Sequence, residues 1–153
     1  MKKIIISPYA RKLPNGKINA KQWPFFPELV KLLQKDGYEI IQLAENMDEP
    51  NIGADGYFCN QPLAEIEVLL LQCDFFISID SFLPHLANTI GRSGVVLWGQ
   101  SDPNIFGYVH NLNILKDRQY LRPDQFGLWT QCEFKPEAFM PAQEVYEMLK
   151  LRF

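Results

Sequence analysis

The stretch Phe75-Phe76-Ile77-Ser78-Ile79-Asp80-Ser81-Phe82-Leu83-Pro84-His85-Leu86-Ala87 carries the densest chemistry in the chain. An apolar strand-like run ends at an Asp-Ser pair and a helix-forming run follows. Ser81, or Asp80, stands where a helix is capped, which leaves the first-turn N–H groups directed at the strand ends. Free amides and the helix dipole together make an anion site, and a diphosphate suits it. Pro84 has no N–H, so Phe82, Leu83 and His85 are the amide donors. One turn into the helix, the His85 ring can reach the same anion, and protonation would strengthen that contact. The plainer reading is an ordinary cap followed by a packed, hydrogen-bonded core histidine, and His85 by itself leaves both open.

A second stretch, Val95-Val96-Leu97-Trp98-Gly99-Gln100-Ser101-Asp102-Pro103-Asn104-Ile105-Phe106-Gly107-Tyr108, is again a strand running into a polar turn. Gly99 permits a close backbone approach or a positive φ, and Asp102-Pro103 sets a turn. If the two strands are neighbours, Ser101 and Asp102 sit beside the 80–85 segment; read alone, they are turn residues. A third element, Ala20-Lys21-Gln22-Trp23-Pro24, precedes a helix. Lys21 is there a candidate phosphate contact or simply a solvated lysine.

These residues need a scaffold, and the chain alternates strand and helix patterns throughout. Strands are expected at Lys3–Ser7, Tyr38–Leu43, within Gly53–Cys59, at Phe75–Ile79, at Gly94–Trp98 and, as an edge, at Leu112–Leu115. Helices are expected at Pro24–Lys35, Pro62–Gln72, Pro84–Ile90 and Pro141–Leu151, the last closing the fold with Val145, Met148, Leu149 and Phe153. Such alternation predicts a Rossmann-like parallel sheet of five to six strands with helices on both faces. Ligands bind at the carboxyl ends of such strands, so chemistry is sought in residues 7–23, 44–51, 80–85 and 99–107. Residues 116–140, rich in Pro and aromatics, follow neither period and are expected to wrap the surface as a long ordered loop.

With 153 residues, 47% hydrophobic and 22% charged, the chain fits one globular domain spanning 1–153. The net charge of −3 supplies no global attraction for nucleic acid or an acidic membrane, so any anion is held locally. Cys59, Cys73 and Cys132 are odd in number and lack C-x-x-C spacing, which argues against a disulfide framework or structural zinc and for a reducing, cytoplasmic setting. The basic Met1-Lys2-Lys3 is followed by only three apolar residues before Ser7-Pro8, too few for a signal peptide or membrane span. A strand entered almost at once favours a natural start.

Taken together and in this order, the three elements resemble glycosyltransferase family 9, the ADP-heptose:lipopolysaccharide heptosyltransferases. The C-terminal domain of that family carries K-x-W-P, D-[ST]-G-x-x-H-L-A and F-G-P-T-D-P elements. They correspond here to Lys21-Gln22-Trp23-Pro24, to Asp80–Ala87 and to Trp98-Gly99-Gln100-Ser101-Asp102-Pro103. The likeness covers roughly residues 3–110. It implies the C-terminal half of a GT-B transferase, an inverting enzyme that moves a sugar from a nucleotide-diphosphate donor and needs no metal or other cofactor for transfer. By resemblance, Lys21 contacts the phosphates, Asp80 the sugar, and Ser81 with the amides of Phe82 and Leu83 the diphosphate. His85 would stabilise the leaving group's charge, with Ser101 and Asp102 alongside.

Two departures qualify this. Phe82 replaces the family glycine, which narrows the approach to that backbone. Gln61 and Pro62 stand where the family places base contacts, leaving the base open. The general base for the acceptor lies in the family's N-terminal domain, for which this chain has no room. Three readings follow: a donor-binding half completed by an acceptor-binding partner or by dimerisation, a non-catalytic nucleotide-sugar-binding or regulatory module, or a degenerate scaffold. The acidic chain disfavours a nucleic-acid acceptor without excluding one brought by a basic partner.

Overall fold

A computed structural model describes residues 2–153. Six strands form one sheet: β1 (Lys3–Ser7), β2 (Glu39–Ala44), β3 (Gly56–Cys59), β4 (Phe75–Ile79), β5 (Val95–Trp98) and β6 (Leu112–Leu115). All neighbours are parallel, in the order β3-β2-β1-β4-β5-β6. The helices are α1 (Phe26–Lys35), α2 (Leu63–Gln72), α3 (Phe82–Thr89), the single turn α4 (Pro103–Phe106) and α5 (Ala142–Arg152). The sheet grows outward from β1 to β2 and β3, then restarts on the other side with β4. The order therefore reverses between β1 and β4, whose register pairs Ser7 with Ser78. A crevice opens beyond the carboxyl ends of strands at such a reversal, which places it against residues 8–21 and 80–85.

Successive residues of each central strand face opposite sides of the sheet, so alternate apolar residues feed two cores. Ile4, Ile6, Phe75, Ile77 and Ile79 pack with Phe26, Leu29, Val30 and Leu33 of α1 and with Val145 and Leu149 of α5. Ile5, Phe76, Val96 and Trp98 pack on the other face with Ile66 and Leu70 of α2 and Leu83 and Ala87 of α3. Each such side chain contributes roughly 1.5–3 kcal/mol by leaving water, which makes the strand ends a firm platform. The adjoining 45–52 loop is pinned by buried Gln42, which donates to Pro50 O and accepts from Ile52 N.

Most elements lie within a residue of their expected bounds, and the larger departures are the following. Helix α1 begins at Phe26, because Pro24 and Phe25 form a preceding turn in which Phe25 meets the Trp23 ring edge-on. Helix α3 begins at Phe82, two residues before Pro84, since a proline is tolerated in the first turn. The Asp102-Pro103 turn continues into α4, with Asp102 accepting from Asn104 N at 2.9 Å.

Residues 116–140 do wrap the surface, punctuated by single 3-10 turns at Arg118–Tyr120, Trp129–Gln131 and Pro136–Ala138. Gln100 anchors this segment: its carbonyl accepts from Arg122 N and Gln125 Nε2, and its side chain donates to Glu133 O. Among the described residues no helix is long and apolar enough to cross a membrane.

Candidate functional site

Lys21 is aimed by its local backbone. Asn19 Oδ1 accepts from Lys21 N and Asn19 O from Gln22 N, both at 3.0 Å, closing a tight turn. Asn19 Nδ2 ties that turn to Arg11 O, and Gln22 Oε1 accepts from Ala10 N. Two residues on, Trp23 is buried and donates from Nε1 to Met140 O at 2.8 Å. The K-x-W-P element thus works as an anchor with a lysine on its free side. Lys21 Nζ lies 3.3 Å from Asp80 Oδ2, with both side chains largely shielded from solvent. The same ammonium rests 4.9 Å from the centre of the Trp129 ring.

Asp80 and Ser81 follow β4 directly. Ser81 occupies the N-cap position of α3 with extended backbone, yet its side chain makes no capping bond to the helix. Its hydroxyl turns back to Ser78 Oγ and Ile79 O. The expected serine cap is therefore corrected, for a physical reason: the buried Ser78 hydroxyl offers a competing partner. The consequence is that the Ser81 side chain leaves the first-turn amides of α3 uncapped. Leu83 is wholly buried, so only its amide is relevant to a ligand. His85 is exposed rather than a core histidine, and its Nδ1 shares a 2.7 Å hydrogen bond with Tyr108 OH.

Three chambers lie along this edge of the sheet. The first, about 440 Å³, is bounded by Tyr9, Glu45, Asn46, Asn60, Gln61 and Phe82, among others. The second, about 680 Å³, shares Tyr9, Glu45 and Phe82 with the first and adds Lys12, Lys21, Asp80 and Ser81. The third, about 300 Å³, shares Lys21, Asp80 and Trp129 with the second and adds His85, Phe106, Arg122 and Gln125. They form one trough, with Phe82 standing where the first two adjoin. The 45–52 loop rims it through Tyr9 OH on Pro50 O and Tyr57 OH on Glu49 O. Burial pushes the Tyr9 phenol up from its ordinary range, helped by the Glu49 carboxylate, so it stays a neutral hydrogen-bonding group.

Of the residues singled out from sequence, Lys21, Asp80, Ser81, Phe82, His85 and Gln61 line this trough. Ser101 and Asp102 do not. Both are buried beyond the end of β5, and the Ser101 hydroxyl has no hydrogen-bond partner among the described residues. Asp102 is held by Arg118 through two bonds of 2.7 and 3.1 Å, and the guanidinium keeps its carboxyl below the usual carboxylate range. Its carboxylate is turned into the fold and serves α4. Sequence reasoning missed Arg122, Gln125 and Trp129. They lie in the segment without periodicity, where only the Arg and Trp residue types hinted at a site.

A family model described as "Glycosyltransferase family 9 (heptosyltransferase)" matches residues 1–125. Among solved structures, ADP-heptose lps heptosyltransferase II of E. coli aligns with a TM-score of 0.69 at 22% identity, over 98% of this chain and 46% of that one. The glycosyl transferase family 9 structure from Veillonella parvula DSM 2008 aligns at 0.73 and 17% identity, over 98% and 45%. The E. coli heptosyltransferase WaaC with ADP gives 0.67 and 18%, over 99% and 45%. The chain thus spans less than half the length of these structures, and no curated protein matches it. The shared fold is the Rossmann-like α/β layer of GT-B transferases, and with the family match extending over most of its length the chain belongs to glycosyltransferase family 9.

Proposed function

We propose that residues 1–153 form one nucleotide-sugar-binding domain, the donor half of a GT-B transferase whose acceptor site is completed by a separate domain, partner or second copy. The observation that carries this reading is the continuous trough at the β1/β4 reversal, where the Lys21 ammonium, the uncapped amides of α3 and the His85 imidazole face one space. The nucleoside occupies the first chamber, with Gln61 and Asn60 near the base and the Glu45 carboxylate accepting from ribose hydroxyls. The diphosphate passes Phe82 to reach the Phe82 and Leu83 amides and Lys21, and the sugar lies against Asp80. His85, oriented by Tyr108, donates to the departing diphosphate as charge grows on it, which is where a positioned donor accelerates transfer. The transferred group is a heptosyl, hexosyl or pentosyl unit, and transfer needs no metal.

Calorimetry with ADP, UDP and their sugar conjugates tests the site directly. Micromolar binding of a nucleotide sugar supports the reading, and absence of binding to any of them refutes it. Donor hydrolysis, or transfer once an acceptor-binding domain is added, separates the enzyme half from a second reading, a binding or regulatory module without turnover. Phe82 favours that second reading, because its ring stands where the family has no side chain.

A further inference from the structure

We infer that Arg122 is a second phosphate-binding cation of this site, carried in by the segment after β6 and lining the third chamber together with Lys21. This deepens the proposed donor reading and rests on it. The guanidinium carbon of Arg122 lies 3.5 Å from the centre of the Trp129 ring, the same ring that carries Lys21 Nζ at 4.9 Å. Two cations are therefore gathered on one indole. Stacking on an aromatic face holds a guanidinium flat while leaving its N–H edge free to bond in the plane. Lys21 has Asp80 as its counter-charge, whereas Arg122 makes no ion pair among the described residues.

The donors of Arg122 are only partly used. One terminal nitrogen donates to Gln125 O at 3.1 Å and the other reaches Leu128 O at 3.5 Å. Nε is buried and has no oxygen or nitrogen acceptor among the described residues, and the Cys132 thiol lies against the guanidinium. A second positive charge over the ring that already carries Lys21 adds repulsion. An anion in the shared chamber relieves that repulsion. The cavity on the other side of Arg122 suits an anion less well, because Asp124 and Glu133 line it along with Lys135. A donor's diphosphate, already placed at Lys21, brings oxygens that accept two N–H groups of a guanidinium in one plane.

The test compares wild type with Arg122→Gln and Arg122→Lys, using whichever of ADP and UDP wild type binds more tightly, together with the matching nucleoside. Arg122→Gln is expected to weaken nucleoside-diphosphate binding at least 10-fold, to leave nucleoside binding within 2-fold, and to flatten the dependence of diphosphate affinity on salt. Arg122→Lys keeps the charge and is expected to recover part of the loss. A purely structural Arg122, pinning the segment through Leu128 O and Gln125 O, would change nucleoside and diphosphate affinity together and leave the salt dependence alone. That result, or undiminished diphosphate binding by Arg122→Gln, overturns the assignment while the donor site stands. Failure of wild type to bind ADP or UDP overturns the donor site and this role with it.

Discussion

Lys21 and Asp80 form an ion pair at the carboxyl end of β4, Nζ to Oδ2 at 3.3 Å, although 59 positions separate them in the chain. The pair joins the anchor before α1 to the turn before α3, and both partners line the second and third chambers. It gives the site an internal control, because the two members have opposite effects on an incoming anion. Lys21→Ala removes a charge-assisted donor and leaves a carboxylate facing the phosphates, so nucleoside-diphosphate affinity should fall by about 1–3 kcal/mol. Asp80→Asn releases the ammonium, so affinity for ADP or UDP should hold or rise while preference for the sugar conjugate over the bare diphosphate is lost. Calorimetry with both ligands reads this directly; equal loss in the two variants would mean that the pair serves only the fold.

His85 and Tyr108 make a parallel case. The exposed ring is held through Nδ1 by a hydroxyl that comes from the loop after α4. His85→Ala should weaken diphosphate binding by about 1–3 kcal/mol, as for other charge-assisted contacts. Tyr108→Phe keeps the imidazole but frees its orientation, so it should cost less in binding than in donor turnover. A turnover assay in which Tyr108→Phe equals wild type would remove the orienting role.

Phe82 differs in that its loss should help. Its ring lies at the join of the first two chambers, beside the amides that the Ser81 side chain leaves uncapped. Phe82→Gly restores the family residue and opens the backbone to a diphosphate. Affinity should rise about 10-fold, equivalent to about 1.4 kcal/mol. The melting temperature should drop, because a half-buried aromatic leaves the second core and glycine is a poor helix former. Unchanged or weaker diphosphate binding by a folded Phe82→Gly would show that the ring is a contact rather than an obstruction.

How far the sequence could be read follows from where physical periodicity exists. The β-branched run Ile4–Ile6 and the apolar run Phe75–Ile79 announced buried parallel strands, and the Asp80-Ser81 pair after one of them marked the edge where the trough lies. Lys21 was legible only because Trp23-Pro24 follows it, an anchor whose partner, Met140 O, lies 117 residues away. Ser101 and Asp102 misled because residue type does not reveal direction: beyond β5 the same turn chemistry caps α4 and binds Arg118 instead of facing the trough. Arg122 and Trp129 were invisible for a different reason. Their segment is ordered by single bonds to Gln100 and Gln125 rather than by a repeating pattern, and such bonds leave no periodic trace.

Gly99 illustrates a close approach rather than a special dihedral. A Cβ there would lie 2.5 Å from Phe139 Cε1, and the Phe139 ring is buried in the first core. Gly99→Ala should therefore cost about 1–3 kcal/mol by overpacking. Phe139→Leu, which shortens the obstructing group, should recover part of that in the double variant. Denaturant unfolding of the four proteins of the cycle measures the coupling; strictly additive losses would show that the two residues do not meet.

The Asp102–Arg118 pair predicts an acid response. The guanidinium's hydrogen bonds lower the Asp102 carboxyl first of all, and the Asn104 N–H adds to them against the opposing effect of burial. A carboxyl whose folded pKa is depressed contributes stability above its unfolded value, about 3.9, and loses it as pH falls through the folded value. Arg118 is more than half exposed, and solvent screening limits the size of the effect. Asp102→Asn keeps the shape and the α4 cap but not the charge. Its melting temperature should lie below that of wild type at pH 7, and the gap should close as both are taken below pH ~4. Melting followed by circular dichroism from neutral to acid pH checks this. A gap that stays constant across the range would assign the contribution of Asp102 to packing, leaving Arg118 without a part in holding α4.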